Sequence, residues 1–335
     1  MKKVVSLLGV IVLMFTLLAG CGSQQAGGDA AGEEMEDIKL SYFASPSWAP
    51  VFVAREEGFF EEQGLNVELF TPGGPKGFQA LQAGDCDFAN LSMEPALVAA
   101  EKGMETTFFA SVVKSRSYGL VTSGDITDIS QLKGKVVYGT NAGSGPYVFV
   151  CDVLRQAGLD PEKDVTFVNV DQNSALIALE EGEIDATFIE MYMESETEGK
   201  DMNILVDTRK EEDCEKYLGN ADFPVEGVCT TKAYAQENPE TVQKFVNALE
   251  KAYQWMDSHT DEEIAESILP IFEGIDQDRL TAWMESLRGT FSVNGYISEE
   301  GYASVIQTNI NAGLIQEEVP YDELVDMSYV EAATE

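Results

Sequence analysis

Two stretches of the chain carry the same order of predicted elements, and this repeat restricts the fold more than any other feature of the sequence. Each stretch contains a strand, a helix, a second strand, a short helix and a third strand. The residues that end these elements recur at a steady spacing. Gly84 and Gly182 end the two short helices, Asp87 and Asp185 follow them, and the members of each pair are 98 positions apart. This matched spacing indicates a duplicated unit.

Alternating strands and helices at this spacing connect parallel strands through right-handed crossovers. The sequence therefore predicts an α/β fold of two lobes, each a mainly parallel sheet flanked by helices, with a ligand cleft between the lobes. The predicted strands are 38–43, 65–70 and 86–91 in the first copy and 135–140, 165–170 and 184–189 in the second. The predicted helices are 50–63 and 77–83 in the first copy and 146–157 and 175–181 in the second.

Strand-like residues also fill 105–122 and 222–231, where we expect the chain to cross between the lobes. We assign residues 37–122 and 229–335 to the first lobe with its helical tail, and residues 123–228 to the second lobe. The tail begins with Asn238 and Pro239, and its helical pattern predicts packing against the outer faces of the lobes. The predicted tail helices are 239–256, 261–269, 276–287 and 298–312.

The N-terminal residues have the order of a secretory signal, with a positively charged start and an apolar or small run over 4–18. The run is short for a membrane span and ends in Leu18-Ala19-Gly20-Cys21, which resembles the bacterial lipobox. We therefore predict a lipoprotein signal peptide at 1–20, a lipid on the Cys21 thiol and a flexible tether over 21–36. An extracytoplasmic, lipid-anchored location follows, while an uncleaved helical anchor or a plain secretory signal is the alternative.

The charge balance and the single histidine exclude several classes of function. The sequence has 59 Asp and Glu against 21 Lys and Arg, a formal net charge of −38, so nucleic acid is not an expected partner. His259 is the one histidine, and a histidine-based triad or a zinc site would depend on it alone. We expect no catalytic residue, no metal and no cofactor.

Four cysteines follow the predicted lipid site, namely Cys86, Cys151, Cys214 and Cys229. The favoured interpretation is that they are small buried hydrophobic residues, because free cysteine is among the most buried residue types. A disulfide between Cys214 and Cys229 is the alternative, and it would add about 3 kcal/mol by closing a short loop.

Ligand-binding candidates follow the strands, because in open parallel sheets ligands bind beyond the carboxyl ends of strands, near helix N-termini. The candidates are Ser45, Trp48, Gly74, Ser92 and Glu94 in the first lobe, and Gly143, Ser144, Gly145, Asn173, Glu190 and Tyr192 in the second. The turn at Gly143 to Pro146 lacks a third glycine and a Lys-Ser/Thr pair, so it does not indicate nucleotide binding. A turn that only needs positive φ, and ordinary packing for Trp48, are the competing interpretations.

Glu94 and Glu190 follow the third predicted strand of each lobe, and we treat them as matching positions. In one interpretation the two carboxylates face the ligand and select a cationic or hydrogen-bond-donating group. In the other, more common, interpretation they are solvated acids at the starts of helices, stabilised by the helix dipole. The same pair is also the basis of an alternative function, an extracellular acid-base hydrolase or lyase.

One stretch carries a resemblance to a known family, Ala-Arg-Glu-Glu-Gly-Phe-Phe-Glu-Glu-Gln-Gly-Leu-Asn-Val-Glu-Leu at 54–69. It resembles the solute-binding proteins of ABC importers of the nitrate, sulfonate and taurine type, a group that includes binders of pyrimidine precursors. Supporting segments lie at 80–90, 128–135, 157–159, 182–186 and 238–240.

This resemblance implies a periplasmic-binding-protein-like fold, with two lobes joined by two crossings and closed around a small molecule. It implies delivery to a membrane permease with its ATPase subunit, and a monomer is expected. Carried over by position, the turn at Ser45 to Trp48, the Ser92 region and the turn at Ser144 and Gly145 would contact the ligand. A sensory solute-binding subunit would look the same in sequence.

The chain departs from the sulfonate-binding pattern after its Gly-x-x-Asp-Ala segment at 182–186, where Glu190 stands in place of a Trp-rich stretch. Two unit charges about 4 Å apart interact by about 4 kcal/mol at an effective dielectric near 20, enough to decide between an anion and a cation. We therefore expect a neutral or amine-bearing organic ligand, with a flat heterocycle stacked on Trp48 or Tyr192 as one possibility.

Overall fold

The computed structural model describes residues 35–42, 44–140, 144–168 and 174–334. The predicted signal peptide and lipid site at Cys21, together with Gly143 and Asn173, lie outside the described residues. The strands are β1 (Glu36–Ser41), β2 (Leu65–Phe70), β3 (Phe88–Ser92), β4 (Thr106–Ser111), β5 (Tyr118–Ser123), β6 (Val136–Tyr138), β7 (Thr166–Val168), β8 (Ala186–Glu190), β9 (Met202–Asp207) and β10 (Glu226–Thr231).

Helices flank these strands and form the C-terminal tail. They are α1 (Ala49–Glu56), α2 (Phe59–Glu62), α3 (Gly74–Ala83), α4 (Glu94–Ala100), α5 (Gly145–Gln156), α6 (Ala175–Glu180), α7 (Glu211–Leu218), α8 (Lys232–Glu237), α9 (Pro239–Ser258), α10 (Asp261–Ile268), α11 (Gln277–Leu287), α12 (Glu299–Asn311), α13 (Tyr321–Leu324) and α14 (Ser328–Thr334). Short 3₁₀ turns include Pro46–Trp48 and Met191–Thr197. No described helix is both long enough and apolar enough to cross a membrane.

The two sheets have equivalent strand orders, β2-β1-β3-β10-β4 in the first lobe and β7-β6-β8-β5-β9 in the second. β1 pairs in parallel with β2 and β3, and β6 does the same with β7 and β8. One antiparallel strand enters each sheet beside the third parallel strand, β10 in the first lobe and β5 in the second. The predicted α/β fold with two duplicated, mainly parallel sheets is confirmed.

Strand pairing moves the lobe boundaries away from the predicted ones. β5 belongs to the second sheet, so the first crossing is 112–117 and not after residue 122. All of β10 belongs to the first sheet, so the predicted boundary after residue 228 would cut through a strand. The error has a physical reason, because an apolar pattern shows that a residue run is a strand but not which sheet it joins.

The tail helices do more than cover the outer faces. α9 packs on the first lobe, where the Phe245 ring lies 4.5 Å from that of Phe60 and 4.9 Å from that of Phe88. α11 instead contacts the second-lobe turn Met191–Thr197, and α12 contacts α5 and α7 of the same lobe. The expectation that every tail helix pads an outer face is wrong for α11, which also contacts the first-lobe turn Pro46–Trp48 and therefore bridges the lobes.

The four described cysteines are free and buried, as the favoured interpretation predicted. The Sγ atom of Cys214 donates a hydrogen bond to the carbonyl oxygen of Asn220 at 3.3 Å. Burial raises the pKa of the Cys86 and Cys151 thiols to about 11. Because the thiolate is the reactive form, these side chains act as packing groups.

Candidate functional site

A cavity of about 220 Å³ lies between the lobes at the carboxyl edges of β3 and β8. Its walls come from both lobes, as expected for two facing parallel sheets. The first lobe contributes Ser45, Trp48, Gly74, Pro75, Ser92, Pro95 and Glu226, and the second contributes Tyr118, Thr140, Ser144, Gly145, Pro146, Phe188 and Glu190.

Seven of the sequence-based candidates line this cavity, and two described candidates do not. Those in the wall are Ser45, Trp48, Gly74, Ser92, Ser144, Gly145 and Glu190. Tyr192 lies outside the wall, with its ring 4.9 Å from the Trp283 ring of α11. Glu94 starts α4 and is turned to Arg116, whose Nη2 lies 2.6 Å from Glu94 Oε1.

The Glu94 side chain is fully buried, so its description as a solvated acid at a helix start is wrong. Arg116, itself only 2% exposed, is the partner that makes this burial tolerable. The matching of Glu94 with Glu190 is also wrong. Ser92 pairs with Glu226 in the first sheet and Glu190 pairs with Tyr118 in the second, which makes Ser92 the counterpart of Glu190.

Helix N-termini bring polar groups to the cavity from both lobes. The Ser45 hydroxyl accepts a hydrogen bond from the Ser47 amide at 3.3 Å, and the Ser144 hydroxyl accepts one from the Tyr147 amide at 3.4 Å. Gly74, at the start of α3, has a φ of 60°, which glycine adopts without steric cost. Helix N-termini carry partial positive charge and unpaired amides, so these turns can hold polar ligand atoms.

Trp48 both packs in the first lobe and forms part of the cavity wall. The side chain is 2% exposed, and its Nε1 donates a hydrogen bond to Glu226 Oε2 at 2.9 Å. The sequence allows two interpretations of Trp48, a surface on which a ligand stacks and a residue that packs in the core, and its position is compatible with both. Across the cavity, the Tyr118 and Phe188 rings lie 5.0 Å apart and add aromatic surface from the second lobe.

Two carboxylates dominate the electrostatics of the wall. Burial and the nearby charge of Glu226 raise the pKa of Glu190 well above its usual value. Burial also raises the pKa of Glu226, although Arg116 and the Trp48 hydrogen bond oppose the shift. A cation or a hydrogen-bond donor in the cavity would favour the charged forms of both acids.

Glu226, Tyr118, Thr140 and Phe188 are wall residues that sequence reasoning missed. Glu226 and Tyr118 begin β10 and β5, the two strands that follow the crossings. The signal that could have found them was the repeat itself. Once the two crossings are recognised as equivalent strands beside β3 and β8, their first residues must lie at the same sheet edge as Ser92 and Glu190.

The part of the chain that the structure describes contains no group of three or more His, Cys, Asp or Glu side chains placed to hold a metal ion. His259 lies outside the cavity, and its ring stacks on Trp255 at 3.8 Å. Its Nδ1 also lies 2.7 Å from the Trp255 carbonyl oxygen. The chemistry available at the cavity is therefore that of carboxylates, hydroxyls, aromatic rings and backbone amides.

Comparison with known proteins gives relatives over nearly the full chain. The putative binding protein YtlA of Bacillus subtilis is 26% identical, over 97% of this chain and 96% of the relative. A putative aliphatic sulfonates-binding protein of the same organism is 27% identical, with the same coverage. The formylaminopyrimidine-binding protein of Halalkalibacterium halodurans is 24% identical, over 91% of this chain and 92% of the relative.

Another relative is named as an enzyme. The 4-amino-5-hydroxymethyl-2-methylpyrimidine phosphate synthase of Candida albicans is 29% identical over 68% of each chain. The relatives thus include both binding proteins and a synthase.

Solved structures agree on the fold. The periplasmic aliphatic sulphonate binding protein SsuA from Escherichia coli matches with a TM-score of 0.70 at 18% identity, over 87% of this chain and 92% of that one. The periplasmic nitrate-binding protein NrtA from Synechocystis matches with a TM-score of 0.69 at 15% identity, over 90% and 89%. The predicted periplasmic-binding-protein-like fold is confirmed. The family model described as NMT1/THI5 like matches residues 45–263, more than half of the sequence, and the chain belongs to that family.

Proposed function

We propose that this protein is an extracytoplasmic solute-binding lipoprotein of an ABC importer, which captures a small organic molecule between its lobes and delivers it to a membrane permease. The observation that carries the proposal is the cavity, which is walled by both lobes and is about the size of a small organic molecule. Relatives named as binding proteins, aligned over nearly the whole chain, support it.

The wall chemistry supports a ligand with hydrogen-bond donors or a positive charge. Among the described residues that line the cavity are Glu190 and Glu226 but neither lysine nor arginine. An amine or an amino-substituted heterocycle could donate hydrogen bonds to the oxygens of both acids and favour their charged forms, whereas a sulfonate or nitrate has no donor to offer them. Trp48, Tyr118 and Phe188 offer aromatic surface to a flat ring.

The test is a thermal-shift screen of the mature chain, residues 21–335 with Cys21→Ser. The panel contains aminopyrimidines, polyamines and amino acids on one side and alkanesulfonates without an amino group and nitrate on the other. A ligand present at a hundredfold excess over its Kd stabilises the folded state by about 2.7 kcal/mol. We expect a shift from an amine-bearing compound and none from the anions. A shift from sulfonates alone would contradict the role assigned to the carboxylates.

Three further measurements separate the alternatives. Mass spectrometry of the bound compound should recover it unchanged, whereas a converted product would favour the synthase activity named for the Candida relative. Membrane fractionation of the full chain should find it in the membrane fraction, and Cys21→Ala should release it. Import of the compound by cells should stop when the chain is deleted, while a sensory subunit would leave import intact.

A further inference from the structure

Arg116 joins the two lobes beside the cavity without forming part of the cavity wall. It lies in the crossing between β4 and β5 and reaches a residue of each lobe. Its Nη2 lies 2.6 Å from Glu94 Oε1, at the start of α4 in the first lobe. Its Nη1 donates a hydrogen bond to the carbonyl oxygen of Gly145 at 3.2 Å, at the start of α5 in the second lobe. One guanidinium therefore connects the first turns of two helices that face each other across the cleft.

Gly145 allows this close approach. A Cβ atom on Gly145 would lie 3.0 Å from Arg116 Nη2 and 3.1 Å from Glu94 Oε1, tighter than ordinary van der Waals contact. Both atoms belong to a buried ion pair, with 1% and 0% side-chain exposure, so neither can move freely into solvent. A methyl group at position 145 therefore requires Arg116, Glu94 or the start of α5 to shift by a few tenths of an ångström, which strains the contact between α5 and the first lobe.

The surroundings fix the guanidinium in place. Its Cζ lies 4.8 Å from the centre of the Tyr118 ring and 5.2 Å from that of Phe223. The planar group can donate to two acceptors at once, which a lysine ammonium at the same site could not match in geometry. Because Gly145 and Tyr118 themselves line the cavity, the position of Arg116 is coupled to the shape of the ligand site.

We propose that Arg116 is a positioning residue that holds the two lobes together around the cavity even without ligand, and that Gly145 is required for this contact. The proposal rests on the proposed function, since a binding cavity between lobes is what the contact would keep closed. Loss of the Arg116–Gly145 contact would shift the protein toward an open arrangement and weaken every ligand that needs both walls.

The test measures the separation of the lobes by pulsed electron paramagnetic resonance, with no ligand added. Spin labels are placed at Gln79→Cys on α3 and Ile177→Cys on α6, two exposed positions on equivalent helices of the two lobes. The four native cysteines of the folded region are buried and should not be labelled. The mature chain, residues 21–335 with Cys21→Ser, carries both labels.

We expect the labelled parent protein to populate the label separation that the structure gives, and Gly145→Ala to lose most of that population to a longer separation. Gly289→Ala is the matched control, because a Cβ there meets nothing within 4 Å and the residue has no positive φ. This control should leave the distribution unchanged. If Gly145→Ala also leaves it unchanged, or if the parent never populates the short separation, the proposal is wrong.

Arg116→Lys provides a second variant in case Gly145→Ala fails to fold. The lysine ammonium can still pair with Glu94, so the buried acid keeps a counter-charge. The ammonium cannot at the same time reach the Gly145 carbonyl oxygen, as the planar guanidinium of Arg116 does. We expect a smaller loss of the short separation than for Gly145→Ala, and an unchanged distribution would again overturn the proposal. Since no ligand enters the measurement, its result is independent of the thermal-shift screen.

Discussion

The two lobes share a strand order, yet they place their cavity carboxylates on different strands. In the first sheet Ser92 of β3 pairs with Glu226 of β10, whereas in the second Glu190 of β8 pairs with Tyr118 of β5. The acid comes from the antiparallel strand in one lobe and from the third parallel strand in the other. A duplicated scaffold thus fixes where a side chain lies but not which strand carries the charge.

The residues two positions after β3 and β8, Glu94 and Tyr192, also occupy equivalent places in the two lobes. Glu94 and Tyr192 are 98 positions apart, the spacing of the repeat, and both lie outside the cavity wall. Each instead contacts a residue that connects the lobes, Arg116 for Glu94 and Trp283 for Tyr192. Equivalent places in the two copies therefore serve contacts between the lobes, while the residues two positions earlier, Ser92 and Glu190, line the cavity.

The largest expected difference is between removing Glu94 and removing Glu190. Glu94→Leu leaves the buried Arg116 charge without its partner, which should lower the free energy of unfolding by about 3–5 kcal/mol. Glu190→Leu removes a carboxylate whose charge is disfavoured by burial, so we expect stability at pH 7 to be unchanged or higher. Urea unfolding of the two variants and the parent measures both effects. Equal losses would show that the two acids play equivalent roles after all.

A smaller effect concerns the pH dependence of stability. The folded state raises the pKa of Glu190, so it binds the proton more tightly than the unfolded chain does. Stability from this group is present below the unfolded pKa, about 4.3, and is lost as pH rises toward the raised folded pKa. We therefore expect the melting temperature of the parent to fall more steeply than that of Glu190→Gln as the pH rises above about 4.3.

Asp152 of α5 provides the control for this measurement. Burial raises its pKa to about 8, but Asp152 is not part of the cavity wall. Asp152→Asn should also flatten the pH dependence of stability, because the same sign applies. It should leave the pH dependence of ligand affinity as in the parent, whereas Glu190→Gln should change it. If both variants change the pH dependence of ligand affinity equally, Glu190 does not contact the ligand.

The smallest effects compare the two aromatic residues proposed from sequence as ligand platforms. Trp48→Phe removes the hydrogen bond to Glu226 and should lower stability by about 1–3 kcal/mol while weakening the best compound from the screen. Tyr192→Phe keeps the ring against Trp283 and should change stability by about 0.5 kcal/mol or less. Calorimetric titration and thermal unfolding of both variants measure these changes. A larger loss of affinity for Tyr192→Phe would return that residue to the ligand site.

Local patterns were enough to predict the elements and the duplicated architecture. Gly84 ends α3 and Gly182 follows the end of α6, and both have a positive φ. The sequence pattern predicts helix ends at both positions. Helix α9 follows its apolar spacing, and the turns at Ser45 and Ser144 reach the cavity because strand-to-helix turns must lie at that sheet edge. These features depend on neighbours close in sequence.

The features that the sequence did not predict depend on distant partners. Nothing near Glu94 indicates that Arg116 will neutralise it, because the two meet only when β5 enters the second sheet. Glu226 escapes prediction because the pattern of 222–231 indicates a strand but not the sheet that the strand joins. The bridging role of α11 was likewise invisible, since an amphipathic pattern reports that one face is buried but not which element covers it.

The exchange of strands between the lobes also has a consequence for how the chain reaches its native state. The first sheet has a gap between β3 and β4 that only β10 can fill, and β10 follows the entire second lobe in the sequence. A chain that stops before residue 226 therefore exposes two unpaired strand edges in its first lobe. Pairs such as Ser92 with Glu226 join residues far apart in the sequence, and such contacts slow folding because the entropy of closing the long loop is lost before the contacts form.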